Sequence, residues 1–134
     1  MNTEDPSLRP LLVVDGANVV GSVPDGWWRD RRGAAERLRD RLAAHGGPAD
    51  GPWPGPYELV LVVEGRARGV ESVPGVRVEE AAGSGDDLIA ALAREAHDRP
   101  CLVITADREL RRRVEETGAH CAGPRSLPGA TGRP

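Results

Sequence analysis

The sequence predicts an α/β fold: a three-layer sandwich with helices packed on a mainly parallel central sheet. Three observations predict it. Short runs of Val, Leu and Ile, apolar at every position, mark strands covered on both faces, as in a parallel sheet. Stretches of helical period alternate with those runs, the pattern of βαβ units joined by right-handed crossovers. Turn-forming Gly, Pro and Asp lie between the segments.

Leu11-Leu12-Val13-Val14 is the first run and stops at Asp15-Gly16, a step that ends a strand. Residues 19–28, with Pro24, Gly26 and the Trp27-Trp28 pair, read as a loop. From about residue 30 to 45 the period is helical: Ala34, Ala35, Leu38, Leu42 and Ala43 share a face, and arginines decorate the rest. Residues 46–56 are dense in Gly and Pro and form a loop. Leu59-Val60-Leu61-Val62-Val63 is the second buried strand, ending at Glu64-Gly65, and Val76-Arg77-Val78 is a short third strand. A helix follows from Ser84 to about His97, with Leu88, Ile89, Leu92, Ala93 and Ala96 on one face. Leu102-Val103-Ile104 is the fourth strand, a helix rich in Arg and Glu covers about residues 108–117, and residues 119–122 make a small fifth strand. The expected organisation is a disordered leader over 1–10, one domain over 11–122, and a flexible tail over 123–134, with no internal repeat.

Composition narrows the function. Phe is absent, so Val, Leu, Ala and Ile build the core, with three Trp and one Tyr at its edge. The net charge of −3 does not mark a nucleic-acid binder, although all 18 basic residues are Arg, which suits bidentate phosphate contacts. A coding bias accounts for the Arg content better than selection does. Two cysteines, Cys101 and Cys121, give no second pair for a zinc site, and they are expected to be reduced thiols. With no signal peptide and no apolar run of about 18 residues, a cytoplasmic protein with no membrane partner is expected. There is no G-x-x-x-x-G-K-[ST] loop and no Lys, which speaks against a nucleotide-binding domain.

The acids carry the chemistry. Asp15, Glu64 and Asp107 each fall at or just beyond the end of an apolar run, and Asp86 and Asp87 open the helix before the fourth strand. In open α/β sheets, sites form outside the carboxyl ends of the strands, so the topology gathers these residues on one edge. Clustered carboxylates repel one another, and a hard divalent cation relieves that repulsion. Such an ion lowers the pKa of a bound water and neutralises charge on a phosphoryl group. Each acid also has a plain structural reading. Asp15-Gly16 can be a turn, Glu64 an exposed strand-end charge, and Asp107 a helix cap. Ser84 and Asp87 match a capping box, the reading preferred for Asp87. These readings leave the coincidence of positions unexplained.

The motifs, taken in order, resemble the NYN domains of the PIN-like nuclease superfamily. Val14-Asp15-Gly16-Ala17-Asn18 resembles their D-G-x-N opening, Ser84-Gly85-Asp86-Asp87-Leu88-Ile89 their third acidic motif, and Ile104-Thr105-Ala106-Asp107-Arg108-Glu109 their fourth. The closing Gly118-Ala119 and Gly123-Pro124-Arg125-Ser126-Leu127 are similar to the YacP-like subgroup, so the resemblance spans about residues 11–127. It implies a PIN-like fold, Mg²⁺ or Mn²⁺ dependence, and endoribonuclease activity that leaves a 5′-phosphate and a 3′-hydroxyl. Asp15, Asn18, Asp86 and Asp107 become the catalytic set. Asp15, Asp86 and Asp107 act as metal ligands, with Glu64 and Asp87 as further candidates. Asn18 orients Asp15 or a water through its amide, and Thr105 hydrogen-bonds within the site. Glu64 stands where the pattern usually has Asp. The implied partner is RNA, single-stranded or structured, with the ribosome as a further candidate, for a monomer or homodimer. Arg66, Arg68, Arg108 and Arg111 are the expected RNA contacts, and an equally weighted reading makes them a solvated, acid-paired surface. Trp27 and Trp28 can stack on bases, although an edge-of-core role is favoured. The alternative to a nuclease is a catalytically weak RNA- or ribosome-binding module on the same fold, motivated by the acidic charge and by Glu64.

Overall fold

A computed structural model describes residues 9–49 and 51–128. Residues 1–8 of the expected leader and 129–134 of the expected tail lie outside the described residues. The strands are β1 (Leu11–Asp15), β2 (Glu58–Val63), β3 (Val76–Glu80), β4 (Cys101–Ile104) and β5 (His120–Ala122). The helices are α1 (Gly16–Gly21), α2 (Arg31–His45), α3 (Gly85–Glu95) and α4 (Arg108–Glu115). The five strands form one sheet in the order β3-β2-β1-β4-β5, and every neighbouring pair is parallel.

Alternation along the strands divides the core into two layers. Leu12, Val14, Leu59, Leu61, Val63, Leu102 and Ile104 point to one face, where they meet Val19 of α1 and Ala35, Leu38 and Leu42 of α2. Leu11, Val13, Val60, Val62 and Val103 point to the other, against Ile89 and Ala93 of α3 and Leu110 and Val114 of α4. Burial on both faces explains why the strands are apolar at every position. Two helices, sheet and two helices make the expected three layers. From β1 the chain builds outward to β2 and β3, then returns to place β4 on the other side of β1. The β1/β4 boundary is therefore the switch point of the sheet, where a crevice opens beyond the strand ends.

Three expectations are corrected. The expected loop over 19–28 begins later: residues 19–21 belong to α1, a helix of six residues that Asp15 caps by accepting from the Asn18 N–H. Ala43 is exposed, so the buried face of α2 is Ala34, Ala35, Leu38 and Leu42. The packed unit does not end at 122. Pro124–Ser126 form a 3-10 turn, Pro124 is buried, and Leu127, 4% exposed, joins the α1/α2 side of the core. Tyr57 is also buried in that cluster and donates its hydroxyl to the Trp53 carbonyl at 2.9 Å.

The corner between β1 and α1 depends on Gly16. A Cβ there would stand 2.5 Å from the Val62 carbonyl oxygen, a backbone atom of β2 that cannot swing aside. Gly16→Ala should therefore lower stability by about 1–3 kcal/mol, the usual cost of overpacking. Urea unfolding checks it, and an unchanged midpoint would show that this corner can relax.

Candidate functional site

The acids gather at the carboxyl edge of the sheet. Asp15 is the last residue of β1, Glu64 follows β2, Asp107 comes three residues after the end of β4, and Asp86 and Asp87 lie in the first turn of α3. Asp15 is buried at 5% exposure, Glu64 and Asp86 are half-buried, and Asp87 and Asp107 are exposed.

Asp15 sits in a small polar network across the switch point. Its Oδ2 accepts from the Thr105 hydroxyl at 2.9 Å, and its Oδ1 accepts from the Asn18 N–H at 3.3 Å. Thr105, fully buried, also accepts from the Asp107 N–H at 3.1 Å. Asn18 makes its contact with Asp15 through its backbone N–H. Its amide oxygen accepts from the Ala106 N–H at 2.8 Å, so the side chain ties α1 to the β4–α4 loop and does not reach the Asp15 carboxylate. Two links, Asp15 to Thr105 and Asn18 to Ala106, thus lock the ends of β1 and β4 together.

The other acids have backbone or arginine partners. Asp107 caps α4, its Oδ1 accepting from the Leu110 N–H at 2.9 Å. Glu64 Oε1 accepts from the Gly85 N–H at 3.2 Å, which brings the end of β2 to the start of α3. Gly85 permits this approach, because a Cβ there would lie 2.6 Å from Glu64 Oε1. The capping box is corrected. Ser84 caps α3 by accepting from the Asp86 N–H, whereas Asp87 turns to Arg113 of α4 at 3.1 Å. Asp86 is the acid of the group with no hydrogen bond or ion pair through its carboxylate among the described residues.

The electrostatics follow from burial and crowding. Burial pushes the Asp15 carboxyl up from 3.8 to about 6. The Thr105 and Asn18 hydrogen bonds oppose that rise, and the charges of Asp86 and Glu64 add to it. The Asp86 carboxyl is also raised, first by burial, then by Asp107 and Glu64, against the opposing charge of Arg113. The donor set is entirely carboxylate oxygen, the kind that Mg²⁺ and Mn²⁺ take. The side chains are not closed into a cage, however: among the described residues no three His, Cys, Asp or Glu groups stand together as an ion-holding cluster.

The expected RNA contacts divide. Arg66 is exposed on the 3-10 turn after Glu64, and Arg68 donates to the Ala82 carbonyl at 2.9 Å. Arg108 is exposed at the start of α4, and Arg111 is half-buried. Their neighbours are taken by acids: Arg112 pairs with Glu109 and with Glu116, and Arg113 with Asp87. On the opposite layer, Arg29 lies 5.8 Å from the Trp28 ring centroid and Arg31 lies 5.1 Å from that of Trp27. Trp28 is 53% exposed. Of this mixed aromatic and cationic surface the sequence points only to the two Trp, since Arg29 and Arg31 read there as polar decoration of the helix that follows. No helix among the described residues is long and apolar enough to cross a membrane.

An all-parallel α/β sandwich with an acidic carboxyl edge at its switch point is the class that fold and site define. No family model matches the chain, and no curated protein does. Among solved structures, the crystal structure of a point mutant of Rae1 (YacP) from Bacillus subtilis matches with a TM-score of 0.66 at 20% identity, over 88% of this chain and 72% of that one. The chain therefore has a YacP-like fold.

Asp15 couples site to stability. Its folded pKa lies above the ordinary value, so its contribution is complete below about pH 4 and is lost as pH rises through about 6. Asp15→Asn removes the cost of a buried charge. It should stabilise the metal-free protein at pH 7.5 by as much as roughly 3 kcal/mol, and give little advantage near pH 3.5. Thermal unfolding of both proteins at the two pH values checks this; an advantage of equal size at both would show that Asp15 is not a strained acid.

Proposed function

We propose that the chain is a metal-dependent endoribonuclease that hydrolyses RNA phosphodiester bonds to 5′-phosphate and 3′-hydroxyl ends. The observation that carries this reading is Asp15, buried at the switch point and hydrogen-bonded to Thr105, its carboxyl pushed up to about 6 by burial and by the nearby charges of Asp86 and Glu64. A protein keeps a charge-strained carboxylate at a cost in stability, and a cation binding there recovers that cost. Two further facts support it. The motifs around Asp15, Asp86 and Asp107 resemble the NYN domains and the closing Gly118-Ala119 and Gly123–Leu127 segments the YacP-like subgroup, and a solved structure with a matching fold bears the name YacP.

In this reading Asp15, Asp86 and Asp107 hold Mg²⁺ or Mn²⁺, and Glu64 is the next donor in line. Asp87 is the weakest candidate, since Arg113 already engages it. The bound ion supplies activation of water and neutralisation of phosphoryl charge. Thr105 fixes the Asp15 carboxylate from behind, and Asn18 holds the loop that carries Asp107. Arg66 and Arg108, exposed on either side of the acidic edge, contact phosphates, with Arg68 and Arg111 beside them. The protein works in the cytoplasm, on free or ribosome-associated RNA, as a monomer or homodimer.

The open arrangement of the acids favours a second reading, a catalytically weak RNA- or ribosome-binding module. The two readings part in one assay. Single-stranded and hairpin RNA are incubated with wild type or Asp15→Asn in Mn²⁺ or Mg²⁺, and binding is measured in EDTA. The nuclease reading expects wild-type cleavage that Asp15→Asn reduces at least a hundredfold, roughly the loss expected when a group central to transition-state stabilisation is removed. Equal activity in both proteins overturns it; binding that persists in EDTA without turnover selects the module.

A further inference from the structure

Beside the acidic edge, on the α1/α2 side of the sheet, lies a pocket of about 130 Å³. Gly16, Ala17 and Val20 of the α1 corner form one wall, Trp27 and Arg31 another, and Glu64 stands at the side shared with the acids. Gly16 follows Asp15 and Glu64 is one of the edge acids, so the pocket borders the proposed scissile position. Its lining is mostly apolar, with one cation and one carboxylate.

Resting on the ribonuclease reading above, we infer that this pocket receives one unpaired base of a single-stranded RNA, next to the phosphate held at the acidic edge. Size argues for a single ring: a cavity of about 150 Å³ accepts benzene, so a flat heteroaromatic ring fits and a base pair does not. The wall chemistry argues for a base. Indole and guanidinium both stack on flat π-systems, and stacking of bases on aromatic side chains is the usual grip on single strands. Arg31 offers donors to the hydrogen-bonding edge of a base, and Glu64 Oε2, left over by the Gly85 bond, offers an acceptor. Charge continues the path. Arg29 and Arg31, on the Trp28 and Trp27 rings, form a cationic approach on this side, whereas Arg112 and Arg113 of α4 are held by Glu109, Glu116 and Asp87. The strand thus lies across α1 towards Trp27 and Trp28. A duplex keeps its bases stacked away from the pocket and loses this contact.

The test measures binding apart from cleavage. Asp15→Asn in EDTA is titrated with a fluorescently labelled single-stranded RNA and followed by anisotropy. An oligonucleotide with the same backbone but abasic residues should bind about tenfold to a hundredfold more weakly. Adding Ala17→Leu, which fills the pocket from an exposed position, should cost the normal RNA a similar factor. Trp27→Ala should do the same, and Trp27→Phe should restore most of the affinity. Equal affinity for normal and abasic RNA, which needs no second variant, overturns the inference, as does normal binding by a folded Ala17→Leu protein. Cleavage by the Asp15-containing protein is scored separately. Its absence, with base-dependent binding retained, removes the nuclease reading and supports the pocket. Its presence, with base-independent binding, removes the pocket alone. Failure of every RNA to bind overturns the pocket, and the nuclease reading then stands or falls on the cleavage assay alone.

Discussion

The Asp15 carboxylate, buried at the end of β1, is the constraint around which the rest is arranged. It sits where the sheet changes direction, in contact with the start of α1 and the loop after β4. A carboxylate so placed must be hydrogen-bonded or neutral. Thr105 and the Asn18 N–H supply two bonds, which reduce its desolvation without cancelling it. The bonds that satisfy the acid also assemble the site. Thr105 holds Asp15 and the Asp107 N–H, and Asn18 joins its own helix to Ala106. Changing Asp15 therefore alters the charge, the α1 cap and the β1–β4 link together.

Three of the neighbouring acids each have a protein partner that helps hold the crowded edge together. Asp107 spends one oxygen on the α4 cap, Glu64 one on the start of α3, and Asp87 one on Arg113. These contacts spread the negative charge, and they account for acids that are near one another without forming a cage. Helix capping and metal binding are not exclusive for Asp107, since the cap uses Oδ1 alone. The same economy occupies Arg112 and Arg113 of α4, whereas Arg29 and Arg31 lie on the rings of the two tryptophans.

The strands and the acidic edge were legible in the sequence because both follow from local rules. A strand buried on two faces is apolar throughout, and a residue just past its end falls on the carboxyl edge. Asp15, Glu64 and Asp107 could be placed by counting. What depends on tertiary partners was not legible. The segment Gly16-Ala-Asn-Val-Val-Gly carries two Gly and two β-branched residues, poor helix formers, and it becomes helical through the Asp15 cap and the burial of Val19. The capping box at Ser84 failed for Asp87 because Arg113, on a different helix, offers a charge that no local pattern reveals. Leu127 looked like tail because a lone Leu among Pro and Gly carries no period, yet it fills the α1/α2 side of the core. The pocket beside Glu64 is made by residues from three separate segments, which only the fold brings together.

The central claim is that the acidic edge is poised for a divalent cation, with Asp15 giving up its proton to bind one. Calorimetric titration of the protein with Mn²⁺ at pH 5.5 and 7.5, in buffers of different ionisation enthalpy, tests it most directly. The account predicts tighter binding at the higher pH, proton release on binding at the lower pH, and loss of both in Asp15→Asn. No Mn²⁺ binding at either pH, or binding that Asp15→Asn leaves unchanged, would contradict it.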